Sequence, residues 1–143
     1  MMIYVAAAYG RQLEMRGVRT QLRALGHQVT SRWLDQEIEV QSFTAVGQAP
    51  AAVQVIARRD LNDIERAHAV LSFTDGGLAR GTRHVEFGYA MALGKRLVVI
   101  GPRENVFHCL GRVAWYPDWP TLYDEMQHWA VDMKDLIEEE RVH

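Results

Sequence analysis

The chain is poor in cysteine: Cys109 stands alone among 143 residues. One thiol cannot close an internal disulfide, and it cannot supply the cysteine pairs of a structural zinc site. Nothing calls for an oxidising compartment, so a cytoplasmic protein is the expectation. An excess of basic residues is also missing, since 16 Lys and Arg face 18 Asp and Glu for a net charge of −2. A nucleic acid polymer or an anionic membrane selects a basic surface, and neither is expected as a partner. A small phosphorylated ligand needs only one or two local cations and stays open. No apolar run approaches the length of a membrane span. The apolar start, Met1 to Ala8, has no basic flank and meets Arg11 almost at once. It reads as a first strand rather than a signal peptide.

Several nucleotide and hydrolase motifs are absent. There is no G-x-x-x-x-G-K-[ST] and no G-x-G-x-x-G, which leaves an NTPase or a dinucleotide oxidoreductase unsupported. There is no G-x-S-x-G elbow. The six histidines show no H-E-x-x-H spacing. His84-Val85-Glu86 matches the H-x-E half of a zinc deaminase signature, but the paired cysteines of the other half are missing. Neither a metal nor a cofactor is expected.

What is present suits one domain with one core over residues 1–143: 48% apolar and 24% charged residues. Ile3 to Ala7 is a short apolar run, as in a strand buried on both faces. Arg11 to Leu25 carries Leu13, Val18, Leu22 and Leu25 among charges and predicts an amphipathic helix closed by Gly26. His27 to Leu34 alternates and predicts a second strand. Asp35 to Pro50 is polar, aperiodic and long for a connection, a length often found in functional loops. Val53, Ile56, Leu61 and Ile64 mark a second helix, Ala69 to Phe73 a third strand, and Arg83 to Leu93 a third helix after a Gly-rich turn. Arg96 to Ile100 and Val113 to Tyr116 complete five strands, and Pro120 to Glu140 predicts a terminal helix. Strands alternating with helices argue for a parallel sheet covered on both faces, a three-layer α/β sandwich. Ligands of such sheets lie beyond the C-terminal strand ends. Ala8 to Arg11, Trp33 to Asp35, Thr74 to Thr82 and Pro102 to His108 fall there.

The segment Gly81-Thr82-Arg83-His84-Val85-Glu86-Phe87-Gly88-Tyr89-Ala90 opens a helix directly after a strand and a turn. Free N–H groups at a helix start favour anionic or hydroxyl-rich ligands. Glu86 lies about one turn in, so its carboxylate can point back to the turn, or it can simply favour the helix dipole. Asp60 and Asp63 read as surface residues on pattern alone, with Arg59 placed to pair with Asp63. A tyrosine inside an apolar strand, Tyr4, needs a partner for its hydroxyl. It is structural, or it holds a carboxylate. Arg11 could bind a phosphate after Tyr9-Gly10, or be an ordinary exposed arginine. Trp33 could stack on a base or fill core space.

Three stretches, taken in order, resemble the nucleoside 2-deoxyribosyltransferase family, which includes deoxynucleoside-monophosphate N-glycosidases. They are Ile3-Tyr4-Val5-Ala6-Ala7, Arg59-Asp60-Leu61-Asn62, and Gly81 through Ala90, within a similarity covering about residues 2 to 101. The resemblance implies a flavodoxin-like, mainly parallel five-stranded sheet and double displacement at the anomeric carbon. Glu86 would be the nucleophile, Tyr4 would orient its carboxylate, and Asp60 would protonate the leaving base. Asp75, Gly81 and Thr82 would lie near the sugar hydroxyls or 5′ group. Tyr9, Arg11, Trp33, Arg80 and His108 complete the expected substrate-binding set. The substrate would be a small nucleoside or nucleotide. Many family members carry Asp or Ser six residues before the catalytic Glu, where this chain has Arg80. With Arg11 and Arg83 nearby, a phosphorylated substrate is one reading. Family sites often borrow residues from a second subunit, so a homodimer or higher homo-oligomer is implied, with Asn105 to His108 the expected contact. A non-catalytic module for a nucleotide or ADP-ribose-like ligand, and a glycohydrolase of NAD derivatives, are the rival readings.

Overall fold

The computed structural model describes residues 1–37, 51–76 and 81–128. Five strands form one all-parallel sheet: β1 (Met2–Ala6), β2 (Gln28–Val29), β3 (Ala69–Phe73), β4 (Arg96–Ile100) and β5 (Val113–Tyr116), in the order β2-β1-β3-β4-β5. Helices α1 (Gln12–Ala24), α2 (Ala51–Arg66) and α3 (Thr82–Ala92) cover it, with a further helix, α4, over residues 119–128. Parallel strands need crossovers of one hand, so the direction of travel along the sheet decides the face. The chain steps one way from β1 to β2 and the other way from β2 to β3 and on to β4. Helix α1 therefore covers one face and α2 and α3 the other, where they pack together. Helix α4 meets α1 through the Trp119 indole N–H, which donates to Gln21 Oε1 at 2.6 Å. Asp118 caps α4 by accepting from the Thr121 N–H at 2.9 Å, and Pro120 sits in the first turn as expected.

The central strands are apolar because both of their faces are covered. Ile3, Val5, Val70, Leu71, Leu97, Val99 and Ile100 are all buried. Each such side chain stabilises the fold by about 1.5–3 kcal/mol relative to exposure. Strands β3, β4 and β5 match their sequence-predicted bounds. Helix α1 buries Met15, Val18 and Leu22, whereas Leu13, expected in its apolar stripe, is exposed. The stripe runs through positions 15, 18 and 22, and Leu13 lies off it.

The second strand corrects the expectation of a run from His27 to Leu34. The ladder stops after Val29, and Arg32–Asp35 is a 3-10 turn. Side chains replace the ladder beyond that point. The Val5 N–H donates to Ser31 Oγ at 2.6 Å, and the Trp33 indole N–H donates to the Val5 carbonyl at 2.7 Å. With both backbone groups of Val5 satisfied, a longer strand has nothing left to pair with there.

Gly101 shows why the strand ends are spaced as they are. Its φ is +113°, and a Cβ there would lie 2.5 Å from the Thr74 carbonyl oxygen. The bare backbone lets the chain leave β4 directly over the end of β3, where Thr74 Oγ1 donates to the Pro102 carbonyl at 2.6 Å. Within the expected loop Asp35 to Pro50, residues 38–50 lie outside the described residues, as do 77–80 of the Gly-rich turn and the predicted helix beyond 128.

Candidate active site

Reversal of direction between β1 and β3 makes a switch point, and open α/β sheets bind ligands beyond the carboxyl ends of the strands at such a point. The expected segments gather there. After β1, the 3-10 turn Tyr9–Arg11 leads into α1. The Arg11 guanidinium lies 5.8 Å from the Phe73 ring centroid and 3.5 Å from the Thr74 carbonyl oxygen, and so reaches the end of β3. It is also paired with Glu14 at 2.6 Å. The Tyr9 hydroxyl donates to the Gln36 carbonyl at 2.8 Å, tying the segment after β1 to the one after β2.

Helix α3 supplies the central carboxyl group. Its buried face reads Arg83, Glu86, Phe87 and Ala90, the i, i+3, i+4, i+7 stripe of a helix lying on a sheet. Glu86 thus turns inward at 9% exposure. Burial pushes its pKa up to about 8; the nearby Asp60 raises it as well, while Tyr4 and Arg83 hold it down. Tyr4, in the middle of β1, is fully buried. Burial and the neighbouring Glu86 and Asp60 carboxyls hold its phenol in the neutral form. Its hydroxyl makes no hydrogen bond of normal geometry, although it is near enough to Glu86 to lower that carboxyl's pKa. Asp60, late in α2, is half-buried and leans on the neighbouring Arg59, 3.2 Å away. Burial raises its pKa too, against the pull of Arg59. One phenol and two carboxyls, from β1, α2 and α3, therefore share one partly dehydrated space.

The other expected residues divide. Asp75 follows β3 with its carboxylate partly exposed, 3.6 Å from the Arg83 guanidinium. Gly81 is the N-cap of α3 at φ +87°, a left-handed conformation that costs glycine little, and its carbonyl accepts from the His84 and Val85 N–H groups at 3.0 Å. Thr82 opens the helix exposed. Trp33 is buried with its N–H spent on Val5, so it fills core space, with Tyr9 tilted against it at 6.5 Å. His108 corrects the sequence expectation of a substrate contact. It is 1% exposed, its Nδ1 accepts the Glu104 N–H at 3.0 Å, and Phe87 packs edge-on at 4.8 Å. Burial, with His84 and Arg83 nearby, disfavours its protonated form. His108 braces α3 from behind. Arg80 lies outside the described residues.

Asp63 is a second correction. It is not a surface partner of Arg59 but is fully buried, accepting from the Arg32 N–H at 3.0 Å, Arg32 Nε at 2.8 Å and Arg66 at 2.9 Å. The Thr30 hydroxyl also donates to its carbonyl at 2.8 Å. This staples the end of α2 to the segment after β2 and so sets where Asp60, one turn earlier, stands. Arg59 instead donates to Gln36 Oε1 at 2.7 Å.

Solved structures share this fold. A 2-deoxyribosyltransferase from Bacillus psychrosaccharolyticus superposes with a TM-score of 0.65 at 21% identity, over 86% of this chain and 90% of that one. The chain has the 2-deoxyribosyltransferase fold. The same fold is shared with a CMP N-glycosidase from Clostridium botulinum, with a TM-score of 0.58 at 15% identity, over 89% of this chain and 99% of that one. A conserved protein from Enterococcus faecalis gives 0.54 at 12% identity, over 90% and 98% of the two chains. No family model matches the sequence, and no curated protein matches it.

Within this 2-deoxyribosyltransferase fold, Glu104 and Ser31 escaped sequence reasoning. Glu104 receives both Arg83 hydrogen bonds, at 2.9 and 3.0 Å. The partners stand 21 positions apart, and nothing local flags the pair. Arg83, a cation that could have served a phosphate, is buried in that ion pair. Among the described residues, no group of three or more His, Cys, Asp or Glu side chains could hold a metal ion. No helix among them is long and apolar enough to cross a membrane.

Proposed function

We propose that this chain is an enzyme that cleaves the N-glycosidic bond of (2′-deoxy)nucleosides or their 5′-monophosphates, passing the sugar to another base or to water. The observation that carries this reading is the meeting of Tyr4, Asp60 and Glu86 at the switch point of a fold shared with a deoxyribosyltransferase and a CMP N-glycosidase. The whole chain would act as one domain.

The chemistry follows from the two carboxyl groups. An oxocarbenium-like transition state places positive charge at the anomeric carbon, which a carboxylate beside it stabilises and then traps. Glu86 in its ionised form attacks that carbon. The C–N bond breaks, its electron pair leaves with the base, and the base takes a proton from Asp60. Burial raises the pKa of Asp60, so that it can hold such a proton closer to neutrality. An acceptor base, or water, then attacks the same carbon and frees Glu86, while its proton returns to Asp60. Two displacements give net retention. With its pKa pushed up to about 8, Glu86 is mostly protonated in the empty site at neutral pH. Turnover needs Glu86 charged and Asp60 protonated together, so it rises with pH as Glu86 ionises and falls as Asp60 loses its proton. Tyr4, a neutral donor, stabilises the carboxylate and sets its direction.

The crevice opens beside Asp75, Thr82 and Arg11, which would meet the sugar and its 5′ group, with Tyr9 towards the base. A second copy is supported by the exposed apolar side chains of Val106 and Phe107 on the segment after β4. The test is release of base from a deoxynucleoside and from its monophosphate, with and without a second base, by the wild type and Glu86→Gln. Loss of release in the variant supports the assignment, and release at the wild-type rate ends it. A new nucleoside marks transfer and free sugar marks hydrolysis. Tight binding without turnover by the wild type would identify a ligand-binding module instead.

A further inference from the structure

Arg83 lies three residues before Glu86 on the buried face of α3, at 3% side-chain exposure. Its guanidinium reaches two separate segments. Nη2 donates to both Glu104 carboxylate oxygens, at 2.9 and 3.0 Å, on the segment after β4. Nη1 lies 3.6 Å from Asp75 Oδ2 and 3.5 Å from the Phe73 carbonyl oxygen, at the end of β3. The segment carrying Glu104 is itself braced. Asn105 Oδ1 accepts from the Phe107 and His108 N–H groups at 3.0 and 3.2 Å, and His108 packs on Phe87, the neighbour of Glu86. Glu86 is thus flanked on its own helix by two residues that are both held from β4's loop.

A cross-link alone does not explain the choice of residues. A buried ion pair adds little stability over well-packed apolar side chains, because desolvation offsets its attraction. Charge matters here for what it faces. The groups acting on Glu86 are Tyr4 from β1, Asp60 from α2 and Arg83 from α3 itself. Asp60 opposes a negative charge on Glu86, whereas Arg83 favours one and is the cation in this set. Glu104 takes both hydrogen bonds from Nη2 and Asp75 lies 3.6 Å from Nη1, while the buried Nε has no hydrogen-bond partner among the described residues.

We propose that Arg83, locked by Glu104, is a positioning residue for the glycosidic reaction: it fixes Glu86 at the crevice and supplies the positive charge that offsets Asp60, and it does not bind substrate phosphate. This rests on the reading of Glu86 as nucleophile. The functional claim is separable from a structural one because it concerns pH dependence and turnover, not only folding.

The experiment measures base release by Arg83→Met, Arg83→Lys, Glu104→Gln and Glu86→Gln as a function of pH, on a deoxynucleoside and its 5′-monophosphate. Folding is checked by circular dichroism and thermal melts. Arg83→Met is expected to move the acid limb of kcat upward by about one pH unit or more. Its kcat should fall while KM for both substrates stays within about twofold. Arg83→Lys, which keeps the charge and loses the forked geometry, should bring the limb most of the way back. If Arg83→Met does not fold, Glu104→Gln carries the test: it leaves the Arg83 charge less neutralised, so the limb moves downward. A folded Arg83→Met with the wild-type limb, or a Glu104→Gln limb that is unchanged or raised, overturns the proposal. So does a rise of about tenfold or more in KM for the monophosphate alone, which would make Arg83 a phosphate ligand. Full turnover by Glu86→Gln would show instead that the underlying assignment of the nucleophile has failed.

Discussion

Replacing Glu86 by Gln should make the protein more stable at alkaline pH and nearly unchanged in acid. The reason is the cost of charging a buried carboxyl. Its pKa stands at about 8 in the folded chain, against an ordinary 4.5. Between these two values the folded state holds a proton that the unfolded chain has released. Stability from this group is therefore fully present below about pH 4.5 and is lost as pH rises through about 8. At about 1.4 kcal/mol per pH unit, the span comes to about 5 kcal/mol. That is comparable with the whole stability of many domains, so relaxation and water entry must reduce it to a few kcal/mol. Gln has nearly the same shape and no charge, and it carries a fixed cost for its buried amide that does not vary with pH. The readout is thus the pH dependence of the difference between variant and wild type, which also removes the contributions of groups titrating alike in both. Urea unfolding of both proteins at several pH values measures it. A difference that does not change with pH would mean that Glu86 titrates as an exposed glutamate, and the case for a dehydrated crevice would fall.

Two further substitutions separate function from scaffold. Tyr4→Phe removes a buried hydroxyl that has no normal hydrogen bond, so stability should hold or rise by about 1 kcal/mol while base release falls and its acid limb moves to higher pH; lower stability with unchanged activity would make Tyr4 a purely structural residue. Asp63→Asn strips a fully buried carboxylate from Arg32 and Arg66 and should cost about 3 kcal/mol by urea unfolding, the lower end of the range for a broken buried pair because both arginines are half exposed and can be solvated; a cost below about 1 kcal/mol would remove its role as the staple of α2.

The fold was legible where a local pattern and the tertiary environment agree. Leu97 to Ile100 is apolar throughout, and Val70 to Phe73 is apolar but for the buried Ser72, because helices cover both faces of the sheet, and the turns beside them are marked by Asp75-Gly76 and Gly94-Lys95. The alternation of Val29, Thr30 and Trp33 misled because strand length depends on what the neighbouring strand has left to pair, and Val5 is satisfied by the side chains of Ser31 and Trp33. At the site, the helical stripe through Glu86, Phe87 and Ala90 is visible in the sequence, and the resemblance picked out Tyr4 and Asp60 as well. The ion pairs that hold those residues were hidden. Asp63 reads as a solvated aspartate until Arg32, 31 positions away, folds against it. Arg83 likewise reads as a cation near a substrate phosphate until Glu104 arrives on the segment after β4. His108 is a polar residue in a loop, and only the backbone donor at Glu104 and the ring of Phe87 explain its burial.

The central claim is that Glu86 takes the sugar. Rapid acid quench of the wild type during turnover of a deoxynucleoside, followed by peptide mass spectrometry, tests it most directly. The account predicts a deoxyribosyl adduct on the peptide containing Glu86, present in the wild type and lost in Glu86→Gln. Turnover with no adduct, or an adduct on a different carboxylate such as Asp60, would contradict it.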